Sequence, residues 1–134
     1  MSGDIRGTFS DVSEIRMGRT LNGCKYLAAC IDGSLRLSSI VRGSLLRKVG
    51  AGGTTIGGYF VPKGVDVGVP YSRVMRNPKY YDTPLEYQPQ RWLPDIASLE
   101  ENRLARSAFC PFGIGNTGCV GKSWALVEMN IILA

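Results

Sequence analysis

The sequence has 134 residues, room for one domain with a modest core, and its 44% apolar and 20% charged residues are an ordinary globular balance. Sixteen Lys or Arg against eleven Asp or Glu give a formal charge of +5, but they are scattered, and Arg91-Trp92 is a poor stacking platform, so no nucleic-acid partner is expected. The absence of histidine excludes Ser-His and Cys-His catalysis and any imidazole-ligated metal.

A mildly basic face would equally suit an acidic protein partner. The four cysteines, Cys24, Cys30, Cys110 and Cys119, include no Cys-x-x-Cys pair, which argues against zinc or iron–sulfur sites. The start, MSGDIRGTFSDVSEIR, has no apolar signal core, and no apolar stretch is long enough to span a bilayer. Residues 1–20 carry no strong pattern and are expected to form a mobile lead-in.

From Cys24 to Leu37 the apolar residues Cys24, Leu27, Ala28, Ile31 and Leu35 recur at helical spacing and predict an amphipathic helix over 24–37. Gly33 interrupts it at a cost of about 1 kcal/mol relative to Ala. GAGGTTIGG then reads as a glycine-rich bend, followed by strands at Tyr59–Val61 and Val65–Val69 around Pro62-Lys63-Gly64. The bend fits GxGxxG at no offset, so it is not a dinucleotide fingerprint. Residues 70–97 predict a short helix near 71–77 and then a long irregular meander, the kind of stretch that is usually functional or packed on something bulky. The clearest predicted helix spans 119–134, with Val120, Trp124, Val127 and Ile131 as its stripe and Ala125, Leu126, Met129 and Ile132 widening it.

The chemistry gathers where a glycine-rich loop, 113–118, meets that last helix. Cys119 stands among unpaired backbone N–H groups that favour an anion, so the position suits a thiolate. Gly118 and Gly121 let a large flat ligand approach the backbone, and Phe112 is placed to shield the sulfur from water. A buried cysteine at a helix cap is the plain structural alternative. Gly121-Lys122-Ser123 ends like a phosphate loop, but counting back puts Asn116 where the first glycine is required.

The spacing Phe112-x-x-Gly115-x-x-x-Cys119-x-Gly121, opening an apolar helix, resembles the ligand loop of the cytochromes P450, haem-thiolate monooxygenases of a kind common in filamentous fungi. YLAACIDGSLRLS is similar to that family's Glu-x-x-Arg helix, GGTTIGGYFVPKGVDVGV to the hairpin after it, and RNPKYYDTPLEYQPQRWL to the meander with its Pro-x-Arg element. The match runs from about Ile15 to the end and corresponds to the final part of the family fold. It implies a mainly α architecture with a small antiparallel β-sheet, the C-terminal part of the P450 fold. Residues 1–134 would be one partial domain, with the haem-binding loop and following helix at 109–134.

The resemblance implies haem b (iron protoporphyrin IX) as cofactor and Cys119 as the ligand of its iron. Phe112 would pack near the sulfur, the backbone at Val120 and Gly121 would lie against the porphyrin, and Arg47 would pair with a propionate. It also implies insertion of one oxygen atom from O2 into a small organic substrate, with a NADPH-dependent flavoprotein reductase as electron source. The second reading is a non-catalytic fragment or gene remnant with at most residual haem binding. Family members usually sit on the endoplasmic reticulum membrane, and association would need an N-terminal anchor that this sequence lacks.

Several positions depart from the family pattern. Gly33 stands where the family has glutamate, so Arg36 and Arg91 lack the carboxylate of a Glu–Arg–Arg triad, and Gly33→Glu is expected to raise stability if the two arginines are close. Asp32 is expected to make only a surface pair with Arg36 at i,i+4. Thr117 replaces a frequent propionate-binding Arg, and Gln90 replaces the usual acid beside Arg91. No long helix with an acid–Thr pair is visible, so turnover by the isolated chain is not expected.

Overall fold

The computed structural model describes residues 2–93, 95–96 and 98–134, with side chains from residue 5 onward. Residues 2–22, where the sequence shows no strong periodicity, hold helices α1 (Ser2–Thr8) and α2 (Arg19–Asn22) with a single 3-10 turn between them. Ile5 and Leu21 from this stretch are buried against Cys24, Leu27 and Ile31. The latter three belong to α3 (Lys25–Leu37) and the residue that precedes it.

Helix α3 is the spine of the molecule because two of its faces are buried. One carries the predicted stripe of Cys24, Leu27 and Ile31. The other is lined by small residues, Ala29, Cys30 and Gly33, and ends on Arg36. Ala29 joins a second apolar cluster with Tyr81, Trp92, Ala105 and Ala108. Ala28, expected in the stripe, is exposed.

The glycine-rich segment folds differently from its sequence-based expectation. Strand β2 (Thr54–Ile56) pairs with β3 (Tyr59–Val61) across Gly57-Gly58, both at positive φ, 56° and 86°. Two consecutive residues at positive φ make the turn whose twist matches a two-residue hairpin. Strand β4 (Asp66–Val67) pairs instead with β1 (Arg47–Lys48), and Val49 N–H to Val65 C=O at 2.9 Å continues that ladder. The segment around Pro62-Lys63-Gly64 therefore links two antiparallel pairs rather than turning one hairpin. The expected bend contains a strand, Thr54-Thr55-Ile56, a β-branched run that the flanking glycines masked.

After α4 (Tyr71–Val74) comes the meander, whose described residues are irregular except for a 3-10 turn at Pro89–Trp92. Helix α5 (Leu99–Ser107) follows. The Ser98-x-x-Glu101 capping box, with Ser98 accepting from the Glu101 N–H and the Glu101 side chain bonding back to the Ser98 N–H, starts it. Helix α6 (Lys122–Leu133) closes the chain. Its core-facing residues are Leu126 and Met129, which pack on the first cluster. The expected stripe of Val120, Trp124 and Ile131 lies outward, with Trp124 74% exposed. A helix apolar nearly all round has no single stripe for periodicity to find.

Arg36, only 1% exposed, holds the meander to α3. Its Nη1 donates to the carbonyls of Met75 at 3.1 Å and Pro84 at 2.5 Å, and its Nη2 to that of Glu86 at 2.7 Å. Its guanidinium lies 4.9 Å from the centre of the Tyr81 ring, and that of Arg91 lies 5.7 Å from it. Burial, then the like charge of Arg91, lowers the Arg36 pKa from its ordinary value. Arg91 donates through Nη2 to Asp82 C=O and to Gln88 Oε1, while its buried Nε has no partner among the described residues.

The place above Gly33 is occupied. A Cβ on Gly33 would meet Cε2 of Tyr87 at 3.0 Å, and the Tyr87 hydroxyl donates to Cys30 C=O at 3.1 Å. The two arginines are close, as the expected benefit of Gly33→Glu required, but a tyrosine ring lies in the carboxylate's path. Gly33→Glu and Tyr87→Ala should therefore be non-additive, the double variant exceeding the sum of the singles in stability by more than about 0.5 kcal/mol in a urea-unfolding cycle; additive effects would refute the contact. Arg36→Met should cost about 3 kcal/mol in the same measurement, since it strips donors from three carbonyls at about 1 kcal/mol each. A loss below about 1 kcal/mol would mean that those carbonyls find other donors.

Candidate functional site

The cysteine loop runs from the end of α5 to α6 and is held by its own backbone. Gly113 N–H bonds to Cys110 C=O at 3.1 Å, and Gly118 N–H to Gly115 C=O at 3.1 Å. Cys119 N–H reaches back to Phe112 C=O at 2.8 Å, closing the loop directly beside the thiol. Gly113 and Gly115 sit at φ 73° and 71°, a conformation that a side chain would strain. Lys122 N–H bonds to Cys119 C=O at 3.3 Å, so the cysteine lies just outside the first turn of α6, whose flanking residue is Gly121.

Cys119 is exposed, whereas Cys24, Cys30 and Cys110 are buried. It opens into a hollow of about 490 Å³ walled by apolar residues including Leu35, Ile40, Val41, Phe112 and Ala125. Gly121 lines the same hollow, and a Cβ placed on it would stand 3.8 Å from the Cys119 sulfur. Glycine therefore leaves that side of the thiol clear. Val120 contributes no side chain here, being fully exposed to solvent.

A second hollow, about 770 Å³, adjoins the first and shares Leu45, Tyr71 and Thr117 with it. Arg47 lines this one together with Ile56, Val61 and Val67. Among the described residues its guanidinium makes one hydrogen bond, from Nη1 to the Leu46 carbonyl at 2.9 Å, and the residue is exposed. The structure thus brings Cys119, Phe112 and Gly121 into one hollow and Arg47 into its neighbour. Tyr71, which the sequence did not single out, stands between them.

A third concavity, about 330 Å³, lies against the other side of the loop. It is lined by Phe112 and Leu126 and by the charged groups Asp32, Arg106 and Lys122. Asp32 pairs with Arg106 Nη1 at 3.6 Å rather than with Arg36, whose Nη1 and Nη2 donate to meander carbonyls. Arg106 also bonds to Asn102 Oδ1 at 2.9 Å and stacks 5.3 Å from the Trp92 ring centre. Burial raises the Asp32 pKa, with Arg106 and Lys122 partly opposing that rise.

An exposed thiol held by a glycine-rich loop stands on an apolar hollow, with the Arg47 guanidinium lining the adjoining one, an arrangement that could take a flat apolar group at the sulfur. The residues fit such a group, because the glycine at 121 leaves open the space that a side chain would fill. The sequence pattern of cytochrome P450 matches residues 4–134, and the chain belongs to the cytochrome P450 family. It is 42% identical to the cytochrome P450 monooxygenase apf8 of Gibberella fujikuroi over 100% of its own length and 37% of that protein. It is 43% identical to the cytochrome P450 monooxygenase poxM of Penicillium oxalicum and 38% identical to AKT7 of Alternaria alternata, over 98% of its own length in each case. These cover 25% and 26% of the respective relatives, so the chain spans roughly a quarter to two fifths of the curated relatives it matches. Haem b is the cofactor of the family.

Among the described residues, six α-helices and two small antiparallel sheets agree with the mainly helical architecture that the resemblance implies. Among the described residues no helix is long and apolar enough to cross a membrane.

The raised pKa of Asp32 has a direction in pH. Stability contributed by its protonated form is complete below the ordinary carboxylate range and is lost as pH rises through the higher folded-state value. Asp32→Asn should therefore flatten the decline of stability just above that range, as read from urea midpoints at several pH values. An unchanged slope would show that the carboxyl is not desolvated.

Proposed function

We propose that this chain is the haem-binding part of a haem-thiolate monooxygenase that inserts one oxygen atom from O2 into a small organic substrate. The observation that carries this reading is the Cys119 thiol, exposed at the mouth of an apolar hollow and fixed by the 2.8 Å bond between its own N–H and the Phe112 carbonyl. One cysteine cannot hold a bare ion. Among the described residues no group of three or more His, Cys, Asp or Glu comes together to do so. A single sulfur suffices for a metal that brings four ligands of its own in a macrocycle.

In this reading Cys119 Sγ would hold the haem iron and Phe112 would keep water from the sulfur. The backbone at Val120 and Gly121 supplies a flat surface for the porphyrin. Arg47 offers its guanidinium to a propionate, as its single backbone hydrogen bond leaves it able to do. Haem held in this way would supply the oxygen chemistry. Residues 1–134 act as one partial domain, with 109–134 as the ligand loop and its helix. A NADPH-dependent flavoprotein reductase would deliver electrons, and the endoplasmic reticulum membrane is the compartment that the family usually occupies.

The test is spectroscopic. The chain reconstituted with haem b, reduced and exposed to carbon monoxide, should give the strongly red-shifted Soret band of thiolate ligation. Cys119→Ser should abolish it. Survival of the band in that variant would assign the ligand elsewhere, although the remaining three cysteines are buried.

A further inference from the structure

We infer that Tyr71 is a further cofactor contact, a phenol that donates to a haem carboxylate in place of the guanidinium absent at position 117; this rests on the haem reading above. Tyr71 begins α4 directly after Pro70. Its side chain is laid against the cysteine loop, since a Cβ on Gly113 would stand 3.5 Å from its hydroxyl oxygen. It lines both the hollow that contains Cys119 and the hollow that contains Arg47. Its neighbour in both is Thr117, the position whose side chain is too short and carries no charge.

The state of the hydroxyl supports the assignment. Tyr81 donates to Ala105 C=O at 2.8 Å and Tyr87 to Cys30 C=O. The Tyr71 hydroxyl has no hydrogen-bond partner among the described residues. A half-buried phenol with an idle donor, facing a hollow with apolar walls, is matched by a ligand whose body is apolar and whose edge carries oxygen acceptors. A carboxylate has several lone pairs to satisfy, and Arg47 alone answers only part of that need. A phenol O–H to a carboxylate is a charge-assisted bond, about twice as strong as a neutral one. Tyr71 thus gives the ligand's edge a second anchor between the sulfur and Arg47.

The experiment compares two ligands on the full chain. Haem b and haem dimethyl ester, in which both carboxylates are capped, are titrated into the chain and into Tyr71→Phe. Haem b should bind the variant about tenfold more weakly, equivalent to about 1.4 kcal/mol, while the dimethyl ester binds both proteins equally. Both haem complexes should keep the red-shifted carbon monoxide band, and the unfolding midpoint of the ligand-free variant should match that of the parent. Equal weakening of both ligands would reduce Tyr71 to a packing role and overturn the inference, as would unchanged haem b affinity. In either case the retained band would leave the haem reading standing. A parent chain that binds haem b without that band, or not at all, would bring down the haem reading and Tyr71 with it.

Discussion

A guanidinium sealed inside a protein without a carboxylate must find its acceptors in the backbone, and Arg36 finds three on Met75, Pro84 and Glu86. Those carbonyls belong to the end of α4 and to the irregular stretch after it, where no ladder would otherwise fix the chain. The bonds convert a segment with little periodicity into one with a definite path. Trp92 and Tyr81 are then carried over the small-residue face of α3, where Ala29 meets them. Small residues at 29, 30 and 33 are what allow so close an approach. The departure from the family pattern at Gly33 is consistent with this packing, because Tyr87 lies over that position and bonds to the helix backbone.

The cysteine loop inherits its position from the same frame. Helix α5 ends at Ser107, and Ala105 and Ala108 are packed in the cluster with Trp92. The loop thus leaves from a buried anchor. It arrives at α6, which rests on the first cluster through Leu126 and Met129. Between those two fixed ends, backbone hydrogen bonds and two glycines at positive φ set the exposed sulfur at the mouth of the hollow. Precision at the sulfur comes from the anchored ends rather than from contacts made by the cysteine side chain.

Much of this was legible in the sequence where one signal dominated. The repeat of Cys24, Leu27 and Ile31 announced α3, and the Phe112-to-Gly121 spacing announced the loop and the family. The second face of α3 was not legible, because alanine, cysteine and glycine carry little apolar weight and the partner face comes from residues without period. Helix α5 was missed although Ser98-x-x-Glu101 marks its start; its sequence is too polar for a stripe. In α6 the opposite failure occurred, since apolar residues on every side left the inward face undetermined. Strand pairing around residues 47–67 depended on which partner lay nearby in space. Tyr71 escaped notice because nothing local distinguishes a tyrosine beside a hollow from one on a surface.

Helix α3 belongs to both apolar clusters, with Leu27 and Ile31 in one and Ala29 in the other. Neither cluster can therefore come apart while the other keeps its shape, since each would lose the helix against which it is packed. The amino-terminal helices, the meander and the loop with α6 are coupled through that one element. Local openings that spare α3 remain open to the outer hairpin of β2 and β3, whose strand residues are mostly exposed. Everything packed on α3 should melt as a single cooperative unit.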